Sequence, residues 1–220
     1  NSKARAREQN NRRFMQACAN GIWLVAKEFL GAGAQLEATD AYGHTPLMAA
    51  SRGGHALIVA MLIEAGAQIE ARNQSGATAL LPAAGRGSVD CMRALLDAGA
   101  SINASDSAGR TPLIAAIVSG RYDAAKFIID RKADVAGSGG ALLGAVENRQ
   151  NDVVRLLVEA GAPTRCAWPR RCAANWEKRP PSGCLLSWRA IARFATKEDD
   201  HAQTAHFIAW LDHFDRRRRA

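Results

Sequence analysis

The chain has 220 residues, 48% of them hydrophobic and only 6% aromatic, with a formal net charge of +8. That hydrophobic content excludes a disordered polar chain, and the wealth of alanine suits closely packed helices better than a β-sandwich. The charge sits at the ends: residues 1–13 carry five basic and one acidic side chain, residues 14–164 carry 12 and 14, and residues 165–220 carry 12 and six. The middle therefore reads as a balanced globular surface. The basic ends could attract nucleic acid, an anionic membrane or an acidic protein, or simply be solvated.

No apolar run reaches the roughly 18 residues of a membrane span, and no apolar stretch follows the charged start as a signal peptide requires. The first residue is Asn1, so a trimmed or partial chain is expected. Five cysteines, an odd and dispersed set, do not look like a secreted disulfide framework. A cytoplasmic location follows as the expectation, with secretion or a periplasmic location left open.

In chain order, a basic arm is expected over 1–11, then a repeating body. Three stretches align, from Asp40, Asn73 and Asp106. Their turn glycines Gly43, Gly76 and Gly109 are 33 residues apart, and Gly33, Gly66 and Gly99 in "LGAGAQLEA", "IEAGAQIEA" and "LDAGASINA" keep the same step. Two markers in register over three units identify a repeat array. Within a unit, Thr45-Pro46 starts a helix, since threonine can cap it and proline suits the first turn. Gly54 lets the chain reverse. A second helix from about Ala56 puts Ile58, Met61 and Leu62 on its apolar side, and Gly66 stops it. The alternating stretch from Ile69 to Gly76 fits a short β-hairpin arm.

The period, with Gly43-His44-Thr45-Pro46-Leu47, Gly54-His55, Ile58-Val59, Leu62 and Ala65-Gly66-Ala67, resembles the ankyrin repeat family. Ala79 departs from it where proline is usual, and Met48, Leu81 and Ile114 stand where histidine is common. The resemblance implies an all-α repeat solenoid, a helix-turn-helix array with short β-hairpin arms. Five units are expected over 12–162. The first is degenerate, with Phe14 in the leucine position; Lys132 replaces the stop glycine of the fourth; the fifth is about four residues shorter. Beyond it come a Pro/Trp/Arg/Cys-rich insertion (163–183), a helical C-terminal cap read as a degenerate sixth unit (184–215) and an Arg-rich tail (216–220).

Catalytic signatures are missing. There is no phosphate loop, dinucleotide fingerprint, nucleophile elbow or paired-histidine metal helix, so neither an enzyme nor a cofactor is expected. Cys166, Cys172 and Cys184, with His201 or His206, could form a zinc site, but their spacing lacks the short knuckle of compact sites. Reduced thiols are the expectation, with a disulfide the next alternative. Trp168 and Trp176 stand among arginines and could stack on bases or fold back over the cap. His55, at the Gly-His turn, reads as structural.

What the resemblance implies for function is partner binding on the concave side, at the arm tips and on the exposed side of each first helix. Carried over by position, the tips are Ala41, Tyr42 and His44, then Gln74, Ser75 and Ala77, then Ser107, Ala108 and Arg110. The helix positions are Arg52 and Gly53, Gly85 and Arg86, Val118 and Ser119, and Glu147 and Asn148. Tyr42, His44, Arg52, Gln74, Arg86, Arg110, Val118, Glu147 and Asn148 are the expected partner-binding residues. The face is basic with one aromatic anchor, which fits another protein with an acidic surface. No membrane partner is expected, and a monomer is. The alternative is a nucleic-acid-associated protein that uses the basic ends and the Trp/Arg-rich insertion; a nucleic-acid reader usually carries its charge along the working face instead.

Overall fold

The computed structural model describes residues 2–135, 139–148 and 150–162. The insertion, the C-terminal cap and the tail expected after residue 162 lie outside them. Ten helices follow in five pairs: α1 (Ser2–Asn20) with α2 (Trp23–Gly31), α3 (Pro46–Gly53) with α4 (Ala56–Glu64), α5 (Leu80–Arg86) with α6 (Val89–Asp97), α7 (Pro112–Val118) with α8 (Tyr122–Asp130), and α9 (Gly139–Glu147) with α10 (Asn151–Glu159). Each pair packs against the next, which makes a linear array. None of the described helices is long and apolar enough to cross a membrane.

The start signals act as the sequence predicts. Thr45 and Thr111 accept from Met48 N and Ile114 N at 3.4 Å, and Pro46 and Pro112 take the first helical position. The unit with Ala79 differs. Its helix begins at Leu80, and the buried Thr78 hydroxyl has no hydrogen-bond partner. Losing the proline thus coincides with losing the threonine cap.

The first helices pack side by side more closely than the second helices do, because their contact positions are small: Ala50, Ala83, Ala84, Ala116 and Ala145 are fully buried. Larger side chains fill the space between the two rows. Phe14, Leu47, Leu80 and Leu113 come from first helices, and Ile58, Leu62, Met92, Leu95, Ile128 and Leu157 from second helices; each is almost wholly out of solvent. Phe14 therefore does take the leucine position.

Two details depart from the sequence reading. Residues 2–11, expected as an arm, are helical and continuous with the first helix of the first unit; Ala, Arg, Glu and Gln there are good helix formers with no proline or glycine to interrupt them. The expected β-hairpin arms form no strands among the described residues. Each arm closes as a turn: Asp40 N donates to His44 O at 3.1 Å and Gly43 N to Asp40 O at 3.0 Å, with matching bonds at Asn73 and Asp106. Side-chain acceptors hold the turn amides that would otherwise extend a ladder.

Close approach sets two glycines. The His55 ring lies between Gly21 and Gly53, and a Cβ on Gly21 would stand 2.5 Å from its Cε1. The His55 Nε2–H donates to Ala19 O across 3.1 Å, so this histidine ties unit two to the end of α1. Lys132 is the one non-glycine with positive φ among the described residues, at 61°. That conformation costs an L-residue roughly 1–2 kcal/mol, partly offset in glycine by its freer unfolded chain. Lys132→Gly is therefore expected to raise stability by about 0.5–1 kcal/mol, read as a shift in urea midpoint at constant slope; an unchanged or lower midpoint would show that the Lys132 side chain stabilises the turn.

Candidate partner-binding face

The arm tips are built by a side chain that recurs every 33 residues. Asp40 Oδ1 accepts from Tyr42 N and His44 N at 2.8 Å. Asn73 Oδ1 accepts from Ser75 N at 3.0 Å and Ala77 N at 2.9 Å, and Asp106 Oδ1 from Ala108 N and Arg110 N at 2.9 Å. Neighbouring arms are joined by Gln74 N to Tyr42 O at 3.1 Å and Ser107 N to Ser75 O at 2.9 Å. A second set of bonds runs between units behind the tips. Glu37 Oε1 accepts from Gln68 N, Glu70 Oε1 from Ser101 N, and Asn103 Oδ1 from Asp134 N, all within 2.8–2.9 Å. Sequence reasoning missed both roles, although the 33-residue step of Asp40, Asn73 and Asp106 was a signal for the first.

On this frame the expected binding residues fall into two groups. Tyr42, His44, Gln74 and Arg110 belong to the arms. Arg52, Arg86, Val118 and Asn148 stand at or just past the far ends of the first helices, about 10 Å away at 1.5 Å per residue. Within the first group only Tyr42 is a bare anchor, 69% exposed, with its ring centroid 5.9 Å from that of His44. His44 Nδ1 lies 2.9 Å from Asp40 Oδ2. Arg110 Nη2 lies 2.7 Å from Asp106 Oδ2, whose carboxylate is buried. Gln74 Nε2 donates to Ala41 O at 3.0 Å. These three are thus partly spent on the arms, and Ala77, expected at a tip, is buried.

In the second group Arg52 and Arg86 are exposed, and neither has a hydrogen-bond or ion-pair partner among the described residues. The Arg86 chain lies over Gly54 of the preceding unit, its Cγ 3.4 Å from where a Cβ would sit. Arg121, not foreseen, lies over Gly87 in the same way. Val118 is 58% exposed, and Asn148 donates from Nδ2 to Gly144 O at 2.8 Å. Glu147 ends α9, and its side chain lies outside the described ones.

Burial raises the Asp40 and Asp106 carboxyls, but the hydrogen bonds from His44 and Tyr42, and from Arg110 and Ala108, outweigh it and hold both below the usual carboxylate range. Burial pushes the Cys18 thiol up to about 12 and raises that of Cys91, which leaves both protonated and poor nucleophiles at neutral pH. Among the described residues no group of three or more His, Cys, Asp or Glu side chains could hold a metal. The candidate set Cys166, Cys172, Cys184 and His206 lies outside them.

Stacked helix pairs, each packed on the next and bonded arm to arm, define a linear repeat solenoid. A family model described as ankyrin repeats (3 copies) matches residues 14–106 and 69–138, more than half of the chain, and the chain belongs to the ankyrin repeat family. A search of curated proteins finds no match. Ankyrin repeats are generally protein–protein interaction modules, and the family is typically non-catalytic.

Proposed function

We propose that this chain is a non-catalytic scaffold that binds a partner protein with an acidic surface or segment along the face of its arm tips and first helices. The observation that carries this reading is the pair Arg52 and Arg86, exposed on successive units with no ion-pair partner among the described residues. Side chains left unpaired at the ends of first helices keep their charge available for a partner, and Tyr42 adds an exposed aromatic anchor at an arm tip. His44 and Arg110 contribute less, because each is already held by its own aspartate.

The test is charge reversal against a partner captured from nuclease-treated lysate and then purified. Arg52→Glu with Arg86→Glu is expected to weaken binding at least tenfold, about 1.4 kcal/mol, with little change in melting temperature. Lys126→Glu, on the exposed side of α8, is the control. Arg93 is unsuitable as a control because its guanidinium stacks over Phe127 at 5.3 Å. If Lys126→Glu weakens binding and the arginine pair does not, the interface lies on the second helices.

A further inference from the structure

Seven large hydrophobic side chains are exposed among the described residues, and five of them stand at the start of a second helix: Ile22, Trp23, Leu24, Leu57 and Tyr122. This is the edge opposite the arms, where each pair of helices turns. Leu24 and Leu57 are 33 residues apart and occupy the second position of α2 and α4. They are 67% and 76% exposed, and Ile22 is 48% exposed. Units three, four and five carry Asp90, Asp123 and Asp152 at that position, where an acid complements the helix dipole. Units one and two thus forgo a favourable charge for bare leucine, a local choice that folding does not explain.

The surroundings of this patch are mainly cationic. Lys27 holds its Nζ 4.8 Å from the Trp23 ring centroid. Arg52 lies just before the turn that leads to Leu57, and the Arg86 chain crosses Gly54 of that turn. Against these three bases stand two exposed acids, Glu28 of α2, a turn beyond Leu24, and Asp90 at the second position of α6. The contacts of His55 with Ala19 and Gly21 bring the two turns side by side. Helices packed in this way sit about 8–10 Å apart, close to the roughly 10.5 Å between residues i and i+7 of a helix.

We propose that the turn edge of units one and two, which borders the first-helix face at Arg52 and Arg86, is a second docking surface, for an amphipathic helix of another protein. Apolar side chains at i, i+3 or i+4, and i+7 cover Leu24, Ile22 and Leu57, and acidic residues along the flanks meet Lys27, Arg52 and Arg86. Apolar contact supplies the affinity and the flanking charges set the orientation.

The probe is a displayed library of short helix-forming peptides, selected on the full chain and measured by fluorescence anisotropy. The expected winners carry an apolar i, i+3/i+4, i+7 stripe with Asp or Glu flanks. Leu24→Asp with Leu57→Asp weakens them at least tenfold and leaves the melting temperature unchanged or raised, because it installs the residue that the other units already carry. Exchanging the peptide's acidic flanks for lysine weakens binding comparably and needs no variant protein. Tyr42→Ala leaves binding unchanged, which separates this surface from the arm-tip face. The proposal is overturned if no such peptide is selected, or if the winners bind the double variant as tightly as the parent. It is equally overturned if the double variant abolishes a dimer in sedimentation, or abolishes binding to phosphatidylserine vesicles while peptides do not bind; the occupant would then be a second copy or a lipid surface.

Discussion

Leu113→Ala lowers the stability of the array by about 2–5 kcal/mol, the range for truncating a buried leucine. Leu113 is 1% exposed in α7, and α7 packs on α5 and α9 as well as on its own partner α8. In a solenoid each unit is held by its neighbours, so a cavity there loosens the units on both sides. Equilibrium urea unfolding followed by circular dichroism measures the loss. The matched comparison is Leu57→Ala: Leu57 is 76% exposed, and its truncation should stay within about 0.5 kcal/mol, as for ordinary surface substitutions. A Leu113 effect as small as that would mean the central core does not depend on this residue.

Asp106→Ala is the second large loss, about 2 kcal/mol, because bonds to a charged group are among the stronger ones. The buried carboxylate accepts from two turn amides with Oδ1 and from the Arg110 guanidinium with Oδ2. Asp106→Asn should cost under about 1 kcal/mol, since Asn73 already closes its turn through the same two amide bonds. The acid limb gives a further check. Asp40 and Asp106 are held below the usual range, so their contribution is fully present above the unfolded carboxyl value near 3.9 and is lost as pH falls through the lower folded values. Asp106→Asn removes one of these groups and should flatten the loss of stability below about pH 4. An acid limb identical to the parent's would show that Asp106 does not titrate with folding.

The unit boundaries and the helix starts were legible because they are written in short-range chemistry. Thr45-Pro46, Thr111-Pro112 and the stop glycines act on backbone a few residues away. Ile58 and Leu62 could be placed in the core from helical spacing alone. The continuation of α1 back to Ser2 was not legible, since a charged run without a breaker reads equally well as a solvated arm or as helix.

The sequence by itself determined the repeat, its 33-residue step, the order of the helices and the family, because these depend on residues close together in the chain. Only the tertiary structure decided which side chains are spent and which are free. His44 and Arg110 looked equivalent to Arg52 and Arg86 as exposed bases, yet the first two are taken up by Asp40 and Asp106 while the latter two have no such partner among the described residues. Likewise the exposure of Leu24 and Leu57 is set by how one unit stacks on the next. That outcome depends on the offset between units, a distance and rotation summed over many contacts, and no local stretch of residues carries it.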